Sequence, residues 1–112
     1  MTDDVGRLFS ALADPTRREM VHALLREGTT SVPTLTATLP ITRQAVAKHL
    51  ATLDEAGLVE RVPGGSGREV RYRLADGALD PASQWLREAE RAWGDRLQRL
   101  KGAVEANRDA TG

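Results

Sequence analysis

The sequence predicts a mainly α-helical domain that carries one small β-hairpin, and three observations lead to this prediction. Apolar residues recur at intervals of three and four along most of the chain, which is the period of an amphipathic helix. One segment before residue 75 instead alternates apolar and charged residues, which is typical of a strand. A long stretch with helical spacing follows that segment. The predicted order of elements is therefore α-α-α-α-β-β-α.

Length and composition indicate a soluble globular protein. The 112 residues fit one compact domain, expected over residues 1–106 with a frayed tail at 107–112. Hydrophobic residues make up 40% and charged residues 29%, which is ordinary for this class. The sequence has no cysteine, which excludes disulfides, thiolate metal sites and cysteine nucleophiles. Without a membrane-length apolar run or a signal-peptide pattern, we expect a cytoplasmic protein with no membrane partner.

The first helix is expected from about Asp3 to Ala13, with Thr2 as its N-cap. Four apolar residues at helical intervals give it one apolar stripe. These residues are Val5, Leu8, Phe9 and Leu12.

The second helix begins with a cap residue followed by proline. Asp14 can accept a hydrogen bond from the first turn, and Pro15 suits the first helical position because its missing N–H has no partner there. Gly28 is expected just past the end of this helix. His22, in an apolar context, is expected in the core or at an interface. The predicted buried side consists of Met20, Val21, Leu24 and Leu25.

Two further helices follow with a short turn between them. The third is expected over about Val32–Thr38 with Ser31 as its cap, and Pro40 ends it. The fourth opens at Thr42 and stops at Gly57. Its predicted buried stripe is Ala45, Val46, Leu50 and Leu53. Because the fourth helix has a polar N-terminal turn, the pair reads as a helix-turn-helix.

The predicted hairpin directly follows this pair. Its strands are expected over Leu58–Val62 and Arg68–Leu74, joined by the glycine-rich segment 63–67. A basic hairpin after a helix-turn-helix is a wing, so the predicted fold is a winged helix-turn-helix.

The last helix is expected to start at Asp80-Pro81 and to end at about Ala106. At about 1.5 Å per residue it would be roughly 37 Å long, which exceeds what the small core can cover. We therefore expect Trp85, Trp93 and Leu97 to contact a second subunit. Burial within the protomer, or a ligand pocket between subunits, is the alternative.

Charge is unevenly distributed although the formal net charge is zero. The fourth helix carries Arg43 and Lys48, and no acidic residue lies between Ile41 and Leu53. The second predicted strand has three arginines against one glutamate. A neutral protein with a local basic face can bind phosphates, so this pattern favours a DNA-binding protein.

Side chains in the first turns of a recognition helix read bases in the major groove. Arg43 could bind guanine and Gln44 adenine, while Lys48 and His49 could reach phosphates or bases. The alternatives are a solvated polar face for this helix, helix capping or ion pairing for Arg17, and packing at the helix edge for His49. An ordinary polar hairpin face is the alternative for the wing. The predicted DNA-binding residues are Thr42, Arg43, Gln44, Ala45, Lys48, His49, Arg68, Arg71, Arg73 and Arg17.

Four segments, in this order and spacing, resemble the ArsR-type family of winged helix-turn-helix transcriptional regulators. They are Leu12–Arg18, Thr42–Leu50, Leu53–Val59 and Gly67–Leu74. The resemblance covers nearly the whole chain. It implies a homodimer built from the first and last helices, a recognition helix in the major groove and a wing near the minor groove or backbone. The interface residues expected on this basis are Val5, Leu8, Phe9, Trp85, Ala89, Trp93, Leu97 and Leu100.

Departures from the family concern its metal sites. Family members that sense arsenic or lead carry a Cys-x-Cys pair where this chain has Ser31 and Pro33, and the last helix lacks the histidines of zinc and nickel sensors. The chain therefore resembles the metal-independent branch, and no metal or cofactor is expected. Ala47 stands where the family has a serine in the recognition helix.

The sequence thus predicts a homodimeric repressor that binds a palindromic DNA operator, with an effector of unknown kind. The alternative is a protein–protein adaptor on the same fold that has lost DNA binding. An enzyme is not expected, because no nucleophile is paired with a base and no cofactor loop is present; a cleft with perturbed acids would contradict this.

Overall fold

The computed structural model of the chain describes residues 3–63 and 69–111. Residues up to Pro81 form one compact unit, and residues from Ala82 onward form a second. The described elements are α1 (Asp4–Leu12), α2 (Pro15–Glu27), β1 (Thr30–Ser31), α3 (Val32–Thr38), α4 (Arg43–Glu55), β2 (Val59–Val62), β3 (Arg71–Leu74) and α5 (Asp80–Thr111). The predicted fold class, mainly helical with a small antiparallel β element, is confirmed. Across the described ranges, no helix is long and apolar enough to cross a membrane.

Side-chain caps set the starts of the four helices of the first unit. The carboxylate of Asp14 accepts a hydrogen bond from the backbone N–H of Arg17 at 3.0 Å, as predicted for α2. The hydroxyl oxygens of Ser31 and Thr42 do the same for α3 and α4. The cap of α1 is Asp3, whose Oδ1 accepts from the N–H of Gly6 at 2.8 Å, so the prediction that Thr2 caps this helix is wrong. Each cap satisfies one of the N–H groups that a helix start leaves without a partner.

Two glycines end helices in a conformation that other residues rarely adopt. Gly28 after α2 has a φ of +85°, and Gly57 after α4 has a φ of +77°. The N–H of Gly28 donates to the carbonyl of Leu24 at 2.8 Å, which closes the last turn of α2. Both stops were predicted from the sequence.

The sheet has three antiparallel strands in the order β1-β3-β2, so a third strand, β1, is added to the predicted two-stranded hairpin. β1 pairs with β3 at Thr30↔Tyr72, and β2 pairs with β3 at Glu60↔Arg73. β2 starts one residue later than predicted, and β3 starts at Arg71 rather than at residue 68. Residues 64–67 of the predicted tip, and Arg68 at the predicted start of the second strand, lie outside the described residues.

One apolar core holds the first unit together. Its members have relative exposures of 6% or less. They are Leu8, Ala11, Met20, Val21, Leu24, Leu35, Val46, Leu50, Leu53, Leu58 and Val59. Each large aliphatic side chain among them contributes about 1.5–3 kcal/mol through burial. Leu25 is 58% exposed and His22 is also exposed, so the expectations that Leu25 lies on the buried side and that His22 lies in the core are wrong.

The second unit is formed by α5 from Ala82 onward. This helix has 32 residues and continues to Thr111, so the predicted end at about Ala106 is five residues short, and residues 107–111, which were expected to fray, are helical. At about 1.5 Å per residue α5 is roughly 48 Å long rather than 37 Å. The extent of a single domain over residues 1–106 stays a prediction.

Candidate nucleic-acid interface

The first turns of α4 present a polar surface on a rigid support. Thr42 Oγ1 accepts from the N–H of Ala45 at 3.1 Å and caps the helix. Val46, Leu50 and Leu53 lie on the opposite side of α4 and are buried in the core. The orientation of the helix is therefore fixed by packing on one side while the other side faces solvent.

Three predicted DNA-binding side chains on α4 are exposed: Arg43, Gln44 and Lys48. Within residues 3–63 and 69–111, Arg43 and Lys48 make no ion pair. The charges on the α4 surface are therefore not neutralised by neighbouring acids. Ala45 is half-buried and can offer at most part of its methyl group to a partner, whereas Ala47 is exposed.

Arg17 has a structural role in the fold. Its Nε donates to the carbonyl of Ala11 at 2.6 Å, and its Nη2 donates to the carbonyl of Ser10 at 3.3 Å. Arg18 Nη1 donates to the carbonyls of Leu12 and Ala13 at 2.7 and 3.0 Å. Both arginines therefore cap the C-terminus of α1, which is the capping alternative foreseen for Arg17.

His49 is half-buried on the side of α4 that faces the start of α2. Its Nδ1 lies 3.3 Å from Nη1 of Arg17. This contact links two residues that were predicted as separate DNA contacts.

Asp14, next to this pair, has a lowered pKa. The hydrogen bond from the backbone N–H of Arg17 is the main cause, and the positive charge of Arg17 adds to it. Both favour the ionised carboxylate. The shift therefore reflects helix capping, since the carboxylate is held by the helix that it caps and is not arranged for proton transfer.

The wing arginines are engaged within the sheet. Nη2 of Arg73 lies 2.5 Å from Oε1 of Glu60, its cross-strand neighbour, and 3.8 Å from a carboxylate oxygen of Asp76. The hydrogen bond with Glu60 raises the pKa of Arg73 above its ordinary value. Arg71 donates through Nε to the hydroxyl of Thr29 at 3.0 Å.

Nη1 of Arg71 lies 3.8 Å from a carboxylate oxygen of Glu69. The described part of the wing is therefore much less positive than its arginine count suggests. Arg61 on β2, which was not among the predicted DNA-binding residues, is exposed and makes no ion pair within the described ranges. The alternation of the strand was the signal that could have identified it.

The residues predicted for a dimer interface differ in accessibility. Leu8 is only 2% exposed because it belongs to the core, so its side chain has no surface left for a partner and we exclude it from the interface. Val5 and Ala89 are half-buried. The exposed members are Phe9, Trp85, Trp93, Leu97 and Leu100. Leu86 and Val104 share the exposed stripe of α5 and belong with them, as their helical spacing indicates.

Within the part of the chain that the structure describes, no group of three or more His, Asp or Glu side chains is arranged to hold a metal ion.

Comparison with known proteins agrees with this architecture. A family model described as a helix-turn-helix domain matches residues 12–62. The regulator CmtR of Mycobacterium tuberculosis is 47% identical over 75 residues, which are 67% of this chain and 61% of that relative. The match thus spans less than two thirds of CmtR. An NMR structure of CmtR, described as a cadmium metal-sensor, has a TM-score of 0.54 at 43% identity and covers 72% of this chain and 81% of that one.

Two further proteins match over more of this chain. The arsenic resistance transcriptional regulator ArsR1 of Pseudomonas putida is 34% identical over 102 residues, or 91% of this chain and 67% of the relative. A solved structure described as an ArsR-like transcriptional regulator from Rhodococcus sp. RHA1 has a TM-score of 0.82 at 37% identity and covers 95% of this chain and 98% of that one. The resemblance inferred from the sequence motifs is confirmed, and the chain belongs to the ArsR family of helix-turn-helix transcriptional regulators.

Proposed function

We propose that the chain is a transcriptional repressor of the cytoplasm that binds a palindromic DNA operator as a homodimer. The observation that carries this proposal is the start of α4, where Arg43, Gln44 and Lys48 are exposed and the two cations make no ion pair within the described ranges. Family membership supports DNA binding, because the relatives are named as transcriptional regulators.

In the proposed complex, α4 enters the major groove by its N-terminal turns. The guanidinium of Arg43 can donate two hydrogen bonds to O6 and N7 of guanine, and the side-chain amide of Gln44 can pair with N6 and N7 of adenine. Lys48, one turn further along, reaches a backbone phosphate. A twofold dimer would place its two α4 helices in half-sites about 34–36 Å apart. Occupancy of the operator then excludes polymerase sterically.

The dimer is proposed to form through α5, with Phe9 and Val5 of α1 contributing. Trp93 is 59% exposed, and Leu97, Leu100 and Val104 follow it at intervals of four, three and four residues. This spacing keeps the apolar side chains on one stripe of a helix roughly 48 Å long, which is the pattern of a helix–helix seam. The occupant that best fits such a stripe is a second copy of the same helix, since each copy brings the same exposed apolar surface.

We propose that metal ions do not release the repressor from DNA. CmtR is described as a cadmium metal-sensor, but this chain has no cysteine and only two histidines. It therefore lacks the thiolates that soft metals prefer. Adding cadmium or zinc should leave DNA affinity unchanged, and a large loss of affinity would contradict this part of the proposal. A small apolar molecule or a partner protein remains the candidate effector.

The decisive experiment starts with footprinting on the DNA upstream of the chain's own gene. Fluorescence anisotropy then compares the protected sequence with a scrambled duplex for the wild type and for Arg43→Ala. Because a bidentate arginine–guanine contact is worth about 1–3 kcal/mol of discrimination, the variant should lose roughly five-fold or more of its preference. Arg26→Ala, which removes the same charge from an exposed position on α2, is the matched control and should keep it. Unchanged discrimination in Arg43→Ala would remove Arg43 from the base-reading set.

One observation favours the adaptor alternative. Arg71 and Arg73 of the wing are paired with Glu69 and Glu60 and so contribute little free positive charge. An adaptor would show no salt-dependent affinity for its own promoter. For a repressor that contacts Z phosphates, log affinity should fall against log salt concentration with a slope of about −0.9Z. The same anisotropy titration therefore separates the two functions.

A further inference from the structure

The guanidinium of Arg17 connects three helices of the first unit. From its place in the first turn of α2, it donates to the carbonyls of Ser10 and Ala11 in the last turn of α1. Its Nη1 also contacts Nδ1 of His49 on α4 at 3.3 Å. One side chain thus ties the end of α1 to the recognition helix.

The chemistry of the two groups determines which ring nitrogen of a neutral His49 carries the proton in this contact. A guanidinium has five N–H donors and no acceptor, so Nδ1 of His49 must accept in this contact. A neutral imidazole with an acceptor at Nδ1 carries its proton on Nε2. Arg17 therefore selects one of the two tautomers of His49.

The remaining nitrogen of His49 is available to a ligand. No hydrogen bond of Nε2 occurs within residues 3–63 and 69–111, where every buried side-chain nitrogen or oxygen has a partner. Since His49 is half-buried, its Nε2 must reach solvent. Nε2 is separated from Nδ1 by one ring carbon and is not engaged by Arg17, and an N–H donor at the surface of a recognition helix can bind a phosphate oxygen.

We propose that Arg17 is a positioning residue that acts through His49: it holds the imidazole in the Nε2–H form, oriented so that this N–H donates to a phosphate of the DNA backbone. The inference rests on the proposed function. It replaces the earlier prediction that Arg17 itself contacts DNA, because three of its five donors are directed to Ser10, Ala11 and His49. The same contact makes the last turn of α1 part of the support of the recognition helix.

The first test needs neither DNA nor a variant. Two-dimensional NMR correlating the ring nitrogens with the ring protons reports the tautomer of each histidine, in a buffer basic enough to keep imidazoles neutral. We expect His49 to be in the Nε2–H form, with exposed His22 as the internal reference for an unconstrained ring. In Arg17→Lys the His49 signals should move towards those of His22. A wild-type His49 protonated on Nδ1 would overturn the proposal.

The second test is a double-mutant cycle in DNA binding, using Arg17→Lys and His49→Ala. Each single variant should weaken DNA affinity by about ten-fold, which is the effect expected from the loss of one hydrogen bond to a charged group. If Arg17 acts through His49, adding Arg17→Lys to His49→Ala should cause no further loss. An equal further loss would instead show a direct contact between Arg17 and DNA and overturn the proposal.

Arg18→Lys is the matched control, because Arg18 also caps α1 but makes no hydrogen bond to His49 among the described residues. It should leave both the tautomer and the DNA affinity near wild type, and a loss equal to that of Arg17→Lys would assign the effect to helix capping alone. Thermal melts establish that each variant is folded. Absence of DNA binding by the wild type would refute the proposed function. The tautomer experiment would still decide whether Arg17 determines the tautomer of His49.

Discussion

Replacing Thr42 by alanine should destabilise the first turn of α4 by a measurable and limited amount. The hydroxyl oxygen of Thr42 accepts one hydrogen bond, from the N–H of Ala45 at 3.1 Å, and loss of such a cap costs about 0.5–2 kcal/mol. Because Thr42 is exposed, water can solvate the released N–H, so we expect the lower part of this range, about 0.5–1 kcal/mol. For a domain of this size, that corresponds to a fall in Tm of roughly 2–8 °C.

Thermal unfolding followed by circular dichroism measures this change. Thr42→Ser keeps the accepting oxygen and should melt close to the wild type. Thr52→Ala is the matched control in the same helix, because the Thr52 hydroxyl donates backwards to the carbonyl of Lys48 at 3.2 Å and caps nothing. Alanine is a better helix former than threonine, so this variant should be neutral or slightly stabilised. A Tm of Thr42→Ala equal to the wild type, or an equal loss in Thr52→Ala, would refute the capping argument.

Three further predictions concern the wing, acid stability and assembly. Glu60→Gln removes the carboxylate that pairs with Arg73 and so frees the arginine to contact a phosphate. The slope of log affinity against log salt concentration should then become steeper by up to about 0.9 per protomer. An unchanged slope in anisotropy titrations would mean that Arg73 is remote from phosphate. Asp14 has a lowered pKa in the folded state, so its stabilisation is present above its unfolded-state pKa of about 3.9 and is lost as the pH falls through the lower folded-state value. Asp14→Asn keeps a capping oxygen, and urea melts should show a weaker loss of stability below about pH 4, whereas an identical pH profile would contradict this. Leu100→Glu places a charge on the apolar stripe of α5 and should shift sedimentation towards the monomer, whereas Arg99→Glu beside it serves as the control; a dimeric Leu100→Glu would count against α5 as the seam.

The starts of the helices could be predicted from the sequence because their signals are local. Asp14, Ser31 and Thr42 each accept from an N–H three residues further on, a distance that sequence reading covers directly. β1 could not be found in this way, since a strand of two residues has no periodicity. It exists because Thr30 pairs with Tyr72, far along the chain.

The candidate site shows the same division between local and distant information. Exposure of Arg43 and Lys48 follows from the position of the buried stripe on α4, so the sequence predicted it. The roles of Arg17 and Arg73 depend on partners that only the fold brings close. Arg17 reaches His49 across 32 positions, and Arg73 meets Glu60 only because the register of β2 and β3 places them opposite each other.

The described arginines and the lysine of the predicted interface therefore fall into two groups that the sequence alone does not separate. Arg17, Arg71 and Arg73 use their donors within the fold, and the charge of Arg73 is offset by Glu60. Within the described ranges, Arg43 and Lys48 make no ion pair, and no acidic residue precedes Asp54 along α4. In a chain with zero net charge, attraction to a duplex must come from such local imbalance, because the average field is weak. It follows that α4, rather than the described part of the wing, should supply most of the electrostatic affinity, and that neutralising Arg43 should cost more binding than neutralising Arg73.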